Sequence, residues 1–471
     1  MKKPKISAES GSTNVRAVDR ISLSEILAFQ NPWWKTGRVE PERLGNFKRE
    51  LFEKLTEDLK NKKVTSIIGP RRTGKTILIH QLIQNLLDKK VDPERIVYLQ
   101  LDNPAILHEG LISELMDFTA NLITESLDEL KKPVYIFLDE VHKLERWGEQ
   151  VKHWQDLNLK IKFIVSGSSA SRILKGSGES LLGRINHNIL LPLSFREFVR
   201  VKYDLDVKPM DLDAVSIKRE YHRMVPHQQK VKIALRDYLH RGGYPALINE
   251  KMEDVFQILL EYKDLSLQRD IFELEEVRDT KTLNELVFIL ASLIGNRLSY
   301  NKLGSILLAR VNTIKRYLSL LEDIYLVKES LVYKKPYSSV RQERKVFFVD
   351  TGFVNALTMT YELKDLSGLI ENSVCSAIYR KTLEQEINPI QFYWIDGEEV
   401  DAILKLKGRL IPIEVKYTNR VDMTDLKGML KFMDKFKVKM GIVVTKDLFE
   451  ERKQDKKEII LIPAWLFLLG I

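Results

Sequence analysis

The stretch Val64-Thr65-Ser66-Ile67-Ile68-Gly69-Pro70-Arg71-Arg72-Thr73-Gly74-Lys75-Thr76 decides how the rest of the chain is read. A short apolar run leads directly into the pattern G-x-x-x-x-G-K-[ST], and Ile77 to Leu87 then follow with helical spacing. Strand, glycine-bearing loop and helix, in that order, form the context in which this pattern holds phosphate. The glycines let backbone N–H groups turn toward phosphate oxygens, and the helix N-terminus adds partial positive charge. Gly69, Pro70, Arg71, Arg72, Thr73, Gly74, Lys75 and Thr76 are therefore the expected binding residues for ATP. Lys75 reaches the β- and γ-phosphates and the Thr76 hydroxyl ligates Mg2+.

Short apolar runs alternate with helical stretches outward to Leu193: Ile96 to Leu99, Val134 to Leu138, Ile161 to Val165 and Asn188 to Leu193. That alternation predicts βαβ units and a largely parallel sheet. Val134 to Leu138 ends in Asp139-Glu140, which places two carboxylates at the carboxyl edge of the sheet, where ligands of open α/β sheets collect. Asp139 is expected to hold Mg2+ and Glu140 to act as general base on the attacking water. The run Ile161 to Val165 ends in Ser166, a polar group placed to hydrogen-bond the γ-phosphate or the attacking water, or else to cap the next helix.

These pieces, in this order, resemble an AAA+ ATPase of the archaeal and bacterial family that carries a C-terminal PD-(D/E)XK nuclease-like domain. Asn31-Pro32-Trp33-Trp34, Gly183-Arg184, Pro192 to Phe198 and Gly242-Gly243-Tyr244-Pro245 share in the resemblance. It implies that Arg184 acts as an arginine finger on nucleotide held by a neighbouring subunit, and hence a ring, hexameric by likeness. For a second-sensor arginine the sequence offers Arg241 or Arg236.

At 471 residues the chain is too long for one ordinary core and predicts roughly three domains. With 44% hydrophobic and 30% charged residues it is neither disordered nor collagen-like. Its single cysteine, Cys375, excludes an internal disulfide framework and fits a reducing cytosol. A formal charge of +9 favours polyanionic partners without naming one. The apolar end, Ile459 to Ile471, is thirteen residues long and carries Pro463, so it predicts a buried strand and docked helix rather than a membrane span. The expectation is a cytoplasmic protein with no membrane partner. The α/β chain divides into a mobile tail (1–20), a P-loop core (21–200), a helical lid (201–278), a winged helix-turn-helix (279–344) and an α/β restriction-endonuclease-like domain (345–471).

Leu283 to Ile294, a short helix after Leu298-Ser299, and Asn312 to Leu321 are followed by a β-like run, Leu326 to Lys334. The order resembles a winged helix-turn-helix, in which the third helix enters the major groove, with Arg310, Lys315 and Arg316 as DNA contacts. Further on, Asp401, Glu414 and Lys416 resemble the D…E-x-K signature of the restriction-endonuclease-like superfamily. That likeness predicts Mg2+ on Asp401 and Glu414, with Glu371 as a supporting carboxylate and Lys416 stabilising the attacking hydroxide or the developing charge. Between Lys405 and Lys439 ten Lys/Arg face four Asp/Glu, a balance suited to phosphates. The leading expectation is an Mg·ATP-driven motor on DNA, branched or junction DNA by architectural analogy. The alternatives are a nucleotide-controlled switch or scaffold and an ATP-regulated endonuclease.

Overall fold

Strand β1 (Val64–Ile68) is buried along its whole length, which is why it reads as a continuous β-branched run and not as an alternating one. In the computed structural model it lies at the heart of a parallel five-stranded sheet with β2 (Ile96–Gln100), β3 (Val134–Asp139), β4 (Ile161–Gly167) and β5 (Ile185–Ile189), in the order β2-β3-β4-β1-β5. The structure describes residues 22–169, 173, 181–272, 277, 279–334, 343–385, 389–406 and 408–471. The expected tail, 1–20, Lys407 in the expected turn, and most of the stretch between Ser169 and Leu181 lie outside them.

Each face of the sheet is covered by helices. Helices α1 (Leu23–Gln30), α2 (Trp33–Thr36), α3 (Leu51–Asp58) and α4 (Lys75–Asp88) come first; on one face Phe52, Leu55, Leu78 and Leu82 pack with Ile67, Tyr98 and Phe137, while Leu27 of α1 joins the core of the other face. On the opposite face α5 (Leu111–Ile123) and α6 (Trp147–Asp156) set Leu115, Met116 and Val151 in a core with Val97, Leu99, Ile136 and Val165. One expectation needs correcting here. The last strand spans Ile185–Ile189, not Asn188 to Leu193. It is an edge strand, so its polar residues find partners: Asn186 and Asn188 donate to the Asp58 carboxylate at 3.1 and 3.0 Å. The apolar Leu190 and Leu191 follow as the exit from the sheet.

Beyond the sheet, Ser194 and Glu197 form a capping box that starts α7 (Phe195–Tyr203). Helices α8 (Ala214–Met224), α9 (Gln228–Arg241) and α10 (Met252–Ser266) follow, the last running on into a π-helical turn, Leu267–Phe272. Between α9 and α10, Gly243 lies so close to the sheet exit that a Cβ there would meet the Leu193 carbonyl oxygen at 2.3 Å.

The next unit is α11 (Thr280–Ser292), β6 (Arg297–Leu298), α12 (Tyr300–Ile306), α13 (Val311–Asp323), β7 (Val327–Val332) and β8 (Arg344–Phe348). β8 pairs antiparallel with both β6 and β7. After α14 (Thr351–Thr358) and α15 (Ser367–Leu383), strand β9 (Gln391–Asp396) joins the same sheet parallel to β7, and β10 (Glu398–Val400) pairs with β9. The division drawn at 344/345 from the sequence therefore falls inside β8, and the sheet continues across it through the pairing of β7 with β9. A third sheet holds β11 (Ala402–Leu406), β12 (Arg409–Lys416), β13 (Met440–Thr445), β14 (Glu450–Gln454) and β15 (Lys457–Pro463), in the order β11-β12-β13-β15-β14, with α16 (Lys427–Phe436) crossing between β12 and β13. Pro463 closes β15, and the buried helix α17 (Ala464–Gly470) returns to the first module, where the Met210 N–H donates to the Gly470 carbonyl at 2.8 Å. No helix among the described residues is long and apolar enough to cross a membrane.

The sheet exit is tied to the phosphate loop by Arg49. Its Nε and Nη2 donate to the two Glu197 oxygens at 2.9 Å each, Nη1 to the Thr73 carbonyl at 2.9 Å and Nη2 to the Leu191 carbonyl at 2.8 Å. Burial works against the Glu197 carboxylate, but Arg49 and the Glu50 and Ser194 N–H groups outweigh it and hold its pKa at about 2, below the ordinary 4.5. Stability from this lowered pKa is complete above the ordinary value and is lost as the pH falls toward 2. Arg49→Met leaves Glu197 buried without its cation, and we expect a loss of about 3–5 kcal/mol in denaturant unfolding at neutral pH. An unchanged midpoint would show the pair to be dispensable.

Candidate functional site

The phosphate loop is shaped by contacts that admit few side chains. A Cβ on Gly69 would lie 2.1 Å from the Leu190 carbonyl oxygen, so only glycine fits beside the exit of β5. Gly74 takes a φ of +92° immediately before α4. Arg72 is left-handed as well, at +64°, and its guanidinium lies over the Tyr262 ring, 4.7 Å from the centroid. Lys75 is buried and donates to the Gly69 and Pro70 carbonyls at 2.9 and 3.0 Å, closing the loop on itself. Burial pulls its pKa down, with Glu140 and Asp139 acting in the opposite sense.

Asp139 emerges at the end of β3, fully buried, opposite the start of α4. Its Oδ2 accepts from the Thr76 hydroxyl at 2.7 Å and from the Tyr98 hydroxyl at 3.0 Å. The Thr76 hydroxyl and Asp139 carboxylate are thus adjacent oxygen donors, the kind that Mg2+ takes together with water and phosphate oxygens, so the residues present fit that ion. Glu140 follows with φ +57°, and burial raises its pKa, offset in part by Lys75. The ring of His142 lies beside it, Nδ1 being 3.3 Å from Glu140 Oε2.

A cavity of about 490 Å³ opens over the loop, between Lys75, Thr76 and Glu140 on one side and Tyr262, Leu265 and Arg269 on the other. The two sides are already joined. Arg71 makes a two-pronged contact with Asp270, 2.8 Å on each oxygen, and the Ser168 hydroxyl donates to the same carboxylate at 2.9 Å.

Several expected site residues stand elsewhere. Ser166 is fully buried, and its hydroxyl donates to Asp139 Oδ1 while accepting from the Glu140 N–H at 3.2 Å. It therefore braces the acidic pair through both Asp139 and the Glu140 backbone. Neither arginine offered as a second sensor faces the cavity. Arg241 is buried on Asp237 and on the Leu247 and Glu250 carbonyls, and Arg236 donates to the Leu363 carbonyl at 3.3 Å. Besides Arg71 and Arg72 of the loop itself, the cavity is lined from the helical side by Arg269, in the π-helical turn; the sequence marks it only as one more charge at the end of a helical run. Arg184 pairs with Asp156, and its carbonyl accepts from the Val64 N–H, at the start of β1. The loop begins beyond the other end of that five-residue strand, roughly 16 Å away.

Arg310 caps the start of α13, and Arg310, Lys315 and Arg316 are all exposed. In the carboxyl part, Lys416 Nζ lies 2.7 Å from Glu414 Oε1 and Asp401 Oδ2 accepts from the Val415 N–H at 2.8 Å, so Asp401, Glu414 and Lys416 are brought to one edge. Burial, with the Asp401 charge, raises the Glu414 pKa to about 8. Glu371 is nearby, but the group between it and Asp401 is the ammonium of Lys345. Among the described residues no group of three His, Cys, Asp or Glu side chains is placed to hold a metal ion, and Lys345 stands between Glu371 and Asp401.

Comparison with known proteins agrees with the first module. Residues 61–199 match the family model described as an AAA domain, so the chain carries an AAA-type P-loop domain. Residues 232–364 and 366–467 match two models described as domains of unknown function (DUF8612 and DUF4143). An uncharacterized protein of Haemophilus influenzae is 24% identical over 89% of this chain and 97% of its own length. The uncharacterized protein MJ1544 of Methanocaldococcus jannaschii is 26% identical over 86% of this chain and 87% of its own. Among solved structures, the Walker-type ATPase PABY2304 of Pyrococcus abyssi aligns over 68% of this chain and 98% of its own, with 18% identity and a TM-score of 0.40.

The two arginines separate cleanly by experiment. Arg241→Ala should cost about 2 kcal/mol in unfolding, since it strips charged hydrogen bonds from a buried site. Arg269→Ala should leave stability unchanged and weaken ATP binding or turnover. The opposite pattern would reinstate Arg241 at the phosphates.

Proposed function

We propose that this chain is an Mg2+-dependent ATPase of AAA type that works on DNA. The observation that carries the ATPase reading is the Thr76–Asp139 contact at 2.7 Å, with Lys75 one residue away at the head of α4 and Glu140 one residue beyond the acid. In this reading Lys75 and the loop N–H groups hold the β- and γ-phosphates. Thr76 and Asp139 hold Mg2+, which neutralises charge on the phosphate oxygens. Glu140, its carboxyl made more basic by burial, takes the proton of the attacking water. Arg269 closes over the triphosphate from the helical side. Arg184, at the far end of β1 from its own loop, serves a neighbour's nucleotide, which requires a ring; the number of subunits we propose is six. Lys75→Ala should abolish nucleotide binding, whereas Glu140→Gln should bind ATP and lower turnover about 10²- to 10⁴-fold. Arg184→Ala should be inactive alone and regain turnover when mixed with Lys75→Ala. Normal turnover by Glu140→Gln, or no rescue on mixing, would overturn these assignments.

The DNA reading rests on the unit from α11 to β8. Its helix–strand–helix–helix–strand–strand order, with β8 between β6 and β7, supports the winged-helix reading. The outer face of α13 presents Asn312, Lys315, Arg316 and Ser319 at helical spacing, all exposed. Lys315→Ala and Arg316→Ala should each weaken binding to every DNA sequence and lower the slope of log affinity against log salt by about 1. ATPase assays with single-stranded, duplex and four-way DNA test the junction preference: stimulation by the four-way form supports it, and turnover indifferent to all three points to a nucleotide switch.

A further inference from the structure

The cluster in the carboxyl part contains a cation of its own. Lys345, on β8, is nearly buried, and its ammonium lies 2.8 Å from Glu371 Oε1, 2.5 Å from Glu399 Oε1 and 3.2 Å from Asp401 Oδ1. The ammonium donates to Glu371 and Asp401, and Glu399 completes the ring of charge as an ion pair. The three carboxylates come from separate places: Glu371 from α15, Glu399 from β10, and Asp401 from the residue before β11. Burial opposes the charged form of Lys345, but Asp401, Glu371 and Glu399 more than offset it and hold the lysine protonated, its pKa above the ordinary lysine value. Of the remaining oxygens, Asp401 Oδ2 accepts from the Val415 N–H and Glu414 Oε1 pairs with Lys416, while Glu414 Oε2 is buried without a hydrogen-bond partner. β8 itself is fixed on both sides, with Lys345 in register with Arg297 of β6 and Ser330 of β7, so the backbone that delivers the ammonium is held in the sheet.

A metal-dependent cut at this place needs a divalent ion against Asp401 and Glu414, with Glu371 in support. The carboxylates are present, but the oxygens of Asp401 and Glu371 that would face such an ion already surround an ammonium. We infer that Lys345 is the resident cation of this cluster: its side chain takes the place of a divalent ion, bonds the winged-helix-like sheet to the carboxyl module, and leaves that module to bind without metal-dependent cleavage. The inference does not depend on the ATPase reading, since none of these residues touches the phosphate loop.

Manganese uptake by the nucleotide-free full-length protein, read as loss of the free Mn2+ EPR signal, tests it. Any ion held by Thr76 and Asp139 is common to all variants here and is subtracted by comparison with Asp401→Asn. Wild type and Lys345→Arg should show no uptake that Asp401→Asn removes. Lys345→Met should gain one ion per chain, at least tenfold tighter than any wild-type binding, and lose it in the Lys345→Met/Asp401→Asn double variant. Asp401-dependent uptake by the wild type overturns the inference, and so does a folded Lys345→Met that gains no ion. Should Lys345→Met fail to fold, the wild-type comparison still decides, together with plasmid cleavage in Mg2+: cutting that Asp401→Asn abolishes refutes the resident lysine, and intact plasmid upholds it.

Discussion

The guanidinium of Arg49 gathers the first module around one point. Its planar fork donates to two carboxylate oxygens and two carbonyls at once, a geometry that lysine does not offer. Through those bonds the phosphate loop, the exit of the central sheet and the first turn of α7 are held in register. The loop needs such an anchor because its glycines and its left-handed Arg72 carry little intrinsic preference for the shape they adopt. The stabilisation comes from completeness: a buried charge pair is worth keeping only when the remaining hydrogen-bonding capacity around it is filled.

Asp139 repeats that logic on the opposite wall. Thr76, Tyr98, Ser166 and the Glu140 N–H all donate to its two oxygens, so the carboxylate is oriented before any ligand arrives. Pre-orientation of this kind lets a site act without rearranging at the moment of reaction. Ser166 belongs to that preparation. Its place at a strand end suits a group that bonds the γ-phosphate, the attacking water or the next helix; the structure engages its hydroxyl with the Asp139 carboxylate.

How much was legible in the sequence follows the distance over which each feature is determined. The strand, loop and helix around Lys75 and the acids ending β3 are written in consecutive residues, and they stand where the spacing put them. The parallel sheet was legible for the same reason, apart from its edge strand, where the polar residues of Ile185–Ile189 gave no apolar signal because Asp58, far away in sequence, satisfies them. Arg269, Arg49 and Lys345 were not legible. Each is an ordinary basic residue until the fold brings its partners together: Arg49 and Glu197 are separated by 148 positions, Lys345 and Asp401 by 56. The D…E-x-K pattern was likewise read in full from β11 and β12, but the cation among its carboxylates comes from a strand outside the pattern.

The pairing of β9 with β7 has a mechanical meaning. A helix hung on a flexible tether could move while the remainder of the chain stayed still. Here the strand that follows α13 is hydrogen-bonded on one side to β8 and on the other to β9, a strand from the final third of the polypeptide. Any displacement of α13 and β7 would therefore carry β9 and the carboxyl part with it, as an arm with its elbow fused.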